Sequence, residues 1–421
     1  MRRFVLVALS LLIAACNTPD NEPVASTNPP VDLSGEWRAV LSSPGGELPF
    51  TLEITHDGET YSAHAINGEE RAPFSHVTQN GSQVILSFSW YDAEITARLS
   101  DDGSVMHGRW RKTAAWDDSV LDFSATRGLP TRFLPLPATA RNAAPELAEL
   151  DGVWAVEFSD EDGVSVAQGE FLQSGIELTG TFLTPTGDYR FLQGSYEHGV
   201  MRLSTFDGAH AFLFQAIAQA DGTLIGDFWS RDSYHATWTG KPASQEQEIL
   251  PDAWEMVELT SPDNTLSLSF DDLEGRTVTL DDPRFAGKPV LINLFGSWCP
   301  NCNDEAPELV RWYNNYHDQG LEIIGLAFEY SGEVERDREM IRRFARRHGV
   351  QYTLLLAGTT NKKDAAETLG FLDRVIAYPT TLFLNREHQV VGIHSGFSGP
   401  GTGHHHTELV AELTRRIEEL L

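Results

Sequence analysis

Hydrophobic and polar positions change their rhythm twice along the chain. Phe4 to Ala15 form an apolar run preceded by Arg2 and Arg3, matching the charged start, short hydrophobic stretch and small-residue end of a secretory signal. The run is shorter than the ~20 residues a permanent membrane helix needs. From Leu33 to about residue 243, short stretches such as Val84 to Phe88 and Ala211 to Ile217 alternate or cluster apolar and aromatic residues between Gly-containing turns. That rhythm predicts antiparallel strands in a sandwich or barrel. From about Leu266 the pattern changes again. Strand-like runs at Val290 to Phe295, Leu321 to Phe328 and Tyr352 to Leu356 alternate with helical stretches at Asp304 to His317, Glu335 to His348 and Lys363 to Leu372. A hairpin from Thr380 to Ile393, turning near Asn385 to His388, and a helix from Thr407 to Leu421 complete the chain. Alternation of this kind predicts a central sheet flanked by helices.

The strand-rich region contains a repeat. Leu33-Ser34-Gly35-Glu36-Trp37 recurs as Leu150-Asp151-Gly152-Val153-Trp154, and Leu86-Ser87 as Leu203-Ser204. The stretch from Asp102 to Trp110 recurs as Asp221 to Trp229, with two residues inserted before it in the second copy. One duplicated module explains these matches. The expected organisation is a signal at 1–15, a tether at 16–31, a first β module at 32–127, a Pro-rich linker at 128–146, a second β module at 147–242, a linker at 243–261, and an α/β domain at 262–421. Eight of the ten tryptophans precede residue 260 and are expected to fill the two β cores. The Gly-x-Trp opening faintly resembles that of lipocalin-like barrels, a pattern too short to carry a ligand over.

With 421 residues, 41% hydrophobic and 22% charged, the chain has ordinary globular composition and room for several cores. Its 31 Lys+Arg against 61 Asp+Glu give a net charge of −30, the wrong sign for a nucleic-acid partner. Three cysteines, Cys16, Cys299 and Cys302, are too few for a disulfide scaffold, so each is read for its own chemistry.

Cys299 and Cys302 form Cys299-Pro300-Asn301-Cys302 directly after the strand run, with helix-forming sequence behind. At such a junction the first sulfur lies at a helix N-terminus, where free N–H groups and the macrodipole favour a thiolate, the nucleophile of disulfide exchange. Cys302 is then placed to resolve a mixed disulfide on Cys299. Two alternatives stay open: half of a zinc site completed by two histidines, and a permanent structural disulfide in an oxidising compartment. Glu305, three residues past Cys302, shares a helix face with it. If buried, it can act as a general acid/base; otherwise it complements the helix dipole.

Residues from about 266 onward resemble the TlpA/ResA-like thiol–disulfide oxidoreductases of the thioredoxin fold. The match is carried by Trp298-Cys299-Pro300-Asn301-Cys302, Glu305-Ala306-Pro307 with Leu309, and Tyr378-Pro379-Thr380-Thr381 before a Leu-Phe-Leu strand. The resemblance implies that Pro379 is cis and beside the cysteines, and that Tyr378 offers backbone groups to a substrate strand. It also implies that Glu305 moves protons for the sulfurs, while Trp298 is expected to shield the site and pack against substrate. The stretch Gly396-Phe397-Ser398-Gly399-Pro400 resembles one in a TlpA-like subgroup. The adjacent His404, His405 and His406 read as solvated residues at a helix start, with metal binding as the alternative. A peroxiredoxin would need a Thr-x-x-Cys-like setting, which Gly296-Ser297-Trp298-Cys299 does not supply.

The run Leu12-Ile13-Ala14-Ala15-Cys16 resembles a bacterial lipobox, which implies acylation of Cys16 and anchoring in a bilayer, with a signal peptide cleaved elsewhere as the alternative. Asn17 is not the Asp that resembles an inner-membrane retention signal. The expectation is therefore an outer-membrane-leaning, periplasm-facing lipoprotein of two antiparallel β modules and a thioredoxin-like domain. It would exchange dithiol for disulfide with envelope proteins, in the reducing direction that the resemblance implies, with no metal or cofactor beyond the Cys299–Cys302 pair, and with a DsbD-like membrane protein as electron donor. The alternative is a ligand- or protein-binding lipoprotein whose β modules carry the main role.

Overall fold

A computed structural model describes residues 31–113, 118–129, 131–137, 149–244 and 246–421. The apolar leader, Cys16 and the tether lie outside the described residues, as does much of the Pro-rich linker.

The first module contains β1 (Gly35–Ser43), β2 (Gly46–His56), β3 (Tyr61–Asn67), β4 (Glu70–Pro73), β5 (His76–Asn80), β6 (Gln83–Phe88), β7 (Ala93–Leu99), β8 (Val105–Lys112) and β9 (Ser119–Arg127). In β7 burial alternates residue by residue, with Ala93, Ile95, Ala97 and Leu99 inward, as the period-two pattern requires. The sheet runs β4-β3-β2-β1-β9-β8-β7-β6-β5, so β4 and β5 remain edges and this barrel is open along one seam.

The second module contains β10 (Gly152–Asp160), β11 (Gly163–Ser174), β12 (Glu177–Thr184), β13 (Gly187–Asp188), β14 (Leu192–Glu197), β15 (Val200–Phe206), β16 (Ala211–Ala218), β17 (Leu224–Ser230) and β18 (Tyr234–Ala243). Here β10 pairs with both β11 and β18, and β11 also pairs with β12, which closes the sheet into an up-and-down barrel. The duplication is visible at atomic level. Trp37 Nε1 donates to Leu33 O at 3.0 Å, and Trp154 Nε1 donates to Leu150 O at the same distance.

The two barrels are not beads on a string. Phe206 of β15 enters the core of the first barrel, with ring centroids 4.6 Å from Phe50 and 5.6 Å from Trp110. The described part of the linker is also packed rather than a free spacer. Phe133 and Leu136 are buried, and the Arg132 guanidinium donates to Ile66 O and Asn67 Oδ1 of one barrel and to Ser204 O of the other.

The C-terminal domain contains β19 (Ser269–Asp272), β20 (Thr277–Thr279), β21 (Val290–Phe295), α1 (Pro300–Tyr316), β22 (Glu322–Glu329), α2 (Val334–His348), β23 (Thr353–Thr359), α3 (Lys362–Leu369), β24 (Thr380–Leu384), β25 (Val390–Ser395) and α4 (His404–Leu420). Its sheet order is β20-β19-β23-β22-β21-β24-β25, with β21, β22 and β23 mutually parallel and β24 antiparallel to β21. Every residue of β21 and β22 is buried, as befits parallel strands covered on both faces. The expected multidomain architecture, two β modules followed by a thioredoxin-like α/β domain, is the one observed. One tryptophan departs from expectation: Trp254 fills neither β core but packs on the C-terminal domain, 5.5 Å from Phe383.

Candidate functional site

Strand β21 delivers the chain to Gly296-Ser297-Trp298, and Cys299 caps α1. Its backbone is extended (φ −85°, ψ 118°), its sulfur accepts from Cys302 N at 3.2 Å, and Pro300 occupies the first turn, a position where its missing N–H costs nothing. Cys299 and Cys302 are joined as a disulfide with Cα atoms 5.2 Å apart, and both are buried. Among the described residues no metal-ligand grouping includes either sulfur. The Tyr378–Pro379 peptide bond is cis, and Cys299 Sγ lies 3.3 Å from Tyr378 O. Residues 79 positions apart in the chain thus meet at the sulfur.

Trp298 is half-buried. Its indole N–H donates to Phe328 O at 2.9 Å and its ring meets that of Tyr378 edge-on at 6.0 Å. The indole lies over Gly296, where a Cβ would stand 2.2 Å from Nε1, so only glycine admits this placement. The Tyr378 hydroxyl is buried without a hydrogen-bond partner among the described residues.

Glu305 is buried on the inner side of α1. It accepts from Asn293 Nδ2 at 2.7 Å and Thr381 Oγ1 at 3.1 Å, and burial pushes its pKa up to about 7. Two carboxyls not singled out in the sequence accompany it. Glu329, the last residue of β22, accepts from the backbone N–H and the hydroxyl of Ser297, both at 2.8 Å, and burial raises it to about 8. The signal for it was an acid closing the apolar run Ile323 to Phe328 at the carboxyl edge of a parallel sheet, where sites gather. Asp304, two residues past Cys302, is raised by burial to about 7. Its partner gave no sequence signal at all.

That partner is Arg190 of the second barrel. The guanidinium meets Asp304 Oδ2 at 2.6 Å, Glu70 Oε1 at 2.6 Å and Asp207 Oδ2 at 2.9 Å, so one buried cation ties both barrels to the cysteine-bearing helix. Beside it, Asn301 Nδ2 donates to Asp188 Oδ2 at 3.2 Å and to Phe397 O at 3.1 Å. Asp188 also accepts from Gly399 N at 2.7 Å. Gly187 (φ +150°) passes so close that a Cβ would lie 2.6 Å from Asn301 Nδ2. The barrels therefore frame the disulfide instead of standing apart from it as a stalk.

His404 is exposed, as a solvated residue would be, but its two neighbours are engaged. His405 Nε2 lies 2.5 Å from Glu170 Oε1 of the second barrel, and His406 Nδ1 lies 2.9 Å from Ser398 O. His404, His405 and Glu170 bring their ligand atoms within 4.8 Å of one another.

The chain is similar to known proteins over its C-terminal part. The AhpC/TSA family matches residues 258–393. Thiol-disulfide oxidoreductase ResA of Geobacillus thermodenitrificans is 31% identical over 137 residues, covering 32% of this chain and 68% of that protein. The ResA proteins of Halalkalibacterium halodurans and Bacillus subtilis are 27% and 24% identical over 134 and 177 residues, covering 68% and 82% of their own lengths. A thioredoxin-family thiol:disulfide interchange protein from Chlorobium tepidum aligns with 38% of this chain and 97% of its own, at 17% identity and a TM-score of 0.29.

Proposed function

The chain belongs to the ResA family of thiol–disulfide oxidoreductases through its thioredoxin-like domain, and from that premise we propose that it reduces disulfides of other proteins in the bacterial envelope. The observation that carries this reading is the placement of Cys299 Sγ, at the N-cap of α1 and beside the backbone preceding a cis proline. A thiolate there receives the Cys302 N–H and the positive end of the helix dipole.

In the reduced enzyme the Cys299 thiolate attacks one sulfur of a substrate disulfide. The substrate S–S bond breaks, its other sulfur leaves as a thiolate, and a mixed disulfide remains. Cys302 loses its proton and attacks Cys299 Sγ, releasing the second substrate thiolate and forming Cys299–Cys302. Two electrons pass to the substrate, which takes up two protons. Glu305, with a pKa near neutrality, is suited to accept the proton of Cys302 and return it. Trp298 and Tyr378 form the surface that receives the substrate, beside Pro379. No cofactor beyond the cysteine pair is required. A DsbD-like membrane donor would restore the dithiol.

The lipobox-like sequence at Cys16 supports anchoring to a membrane, with the outer membrane favoured over the inner by Asn17. Replacement of Cys16 by Ser should move the protein into the soluble fraction. The central test is Cys302→Ser in the full chain within the native envelope. Proteins should accumulate as mixed disulfides on Cys299, and a folded variant that traps none would overturn the reading.

A further inference from the structure

A cavity of about 480 Å³ opens where the two barrels meet the redox domain, within the size range of ligand-binding clefts. One wall is Trp298, Pro300 and Tyr330, and the first two flank Cys299 in sequence. The other wall comes from the barrels and includes Lys112, His210 and Arg231. The space beside the redox cysteine is thus enclosed on one side by residues that the redox domain does not supply.

The chemistry of the barrel wall is cationic. Arg231, in the turn from β17 to β18, is half-buried, and its guanidinium has no ion pair or hydrogen bond among the described residues. Lys112 is buried, its Nζ donates to Tyr91 O at 2.9 Å, and it makes no ion pair among the described residues. The acids of the neighbourhood are already committed. Asp207 meets Arg190 and His210, and Asp92 accepts from Tyr330 and faces Arg336 and Arg343. Burial first, and then the charge of Arg231, lower the Lys112 pKa to about 8 against the opposing pull of Asp207 and Asp92, so the two cations share one space and repel each other there. In a protein of net charge −30, a guanidinium without an ion pair lining a cleft beside a second cation is an unusual use of charge, and an incoming anion would relieve it.

We propose that the β modules form the substrate-selecting half of the active site, and that the cleft takes a polypeptide segment carrying Asp or Glu close to its reacting cysteine. This rests on the exchange reading above and assigns the barrels their part in it: Arg231 and Lys112 orient the acid, while Trp298 and Pro300 lie against the segment next to the sulfur.

Two synthetic peptides test the idea, each closed by one disulfide and identical except for Asp or Lys beside one cysteine. With the reduced full chain, kcat/KM should favour the Asp peptide by about tenfold at low salt, and the preference should shrink as salt is raised. Arg231→Gln should remove most of the preference and Arg231→Glu should invert it. Equal rates for both peptides with the wild type, or a preference unchanged in Arg231→Glu, would overturn the cleft proposal while leaving thiol exchange standing. A wild type that reduces neither peptide would instead remove the exchange reading on which it depends.

Discussion

Arg190 and Asp304, 114 residues apart in the chain, meet at 2.6 Å, and this pair fixes the second barrel to the helix that carries both redox cysteines. Removing the cation leaves Glu70, Asp207 and Asp304 buried around an uncompensated site. Breaking such a group by deleting one partner typically costs about 3–5 kcal/mol. Arg190→Met should therefore lose about that much in denaturant unfolding, and Arg190→Lys less, because the charge survives without the planar fork.

Phe206 belongs to the second barrel by sequence and to the first by packing. Phe206→Ala should destabilise the first barrel by about 3–5 kcal/mol, the usual cost of deleting a buried aromatic ring. Because the ring bridges the modules, tryptophan fluorescence and far-UV signals should both shift to lower denaturant.

Glu305 makes stability fall as pH rises. Its folded pKa, about 7, lies above the 4.5 usual for a glutamate, so between these limits the folded state binds more protons than the unfolded state and loses stability with increasing pH. Below about pH 4.5 both states hold the proton and the penalty vanishes. Glu305→Gln should therefore gain stability relative to the wild type as pH is raised from 4.5 to 7, by on the order of 3 kcal/mol. Urea unfolding at several pH values checks this. In disulfide exchange the same variant should be slowed about a hundredfold and lose the pH dependence centred near neutrality.

Gly296 determines where Trp298 rests. Gly296→Ala places a methyl group against the indole nitrogen, and the bond from Nε1 to Phe328 O should break. The indole N–H resonance of Trp298 should move and exchange faster with solvent, while Cys302→Ser trapping should weaken through loss of the shield beside Cys299.

Much of this architecture was legible because it is written in short-range order. The alternation of Val84, Leu86 and Phe88 identifies a half-buried strand, and the duplicated Gly-x-Trp opening identifies a repeated module. The step from Val290–Phe295 into Cys299-Pro300-Asn301-Cys302 places a sulfur at a helix N-terminus. Glu305 was legible as a helix-face neighbour of Cys302, but its burial depends on Asn293 and Thr381 arriving from β21 and β24.

By itself the sequence determined the strands, the helices, the repeat and the redox pair, since periodicity and covalent spacing act over a few residues. Only the tertiary structure decided that one barrel closes while its copy stays open, that Phe206 fills its neighbour's core, and that Arg190 finds Asp304. It also decided that Lys112 and Arg231 border the space beside Trp298. These are pairings between distant segments, selected by the cost of burying charge and the gain from filling apolar space. Neither leaves a repeating mark in the order of residues along the chain.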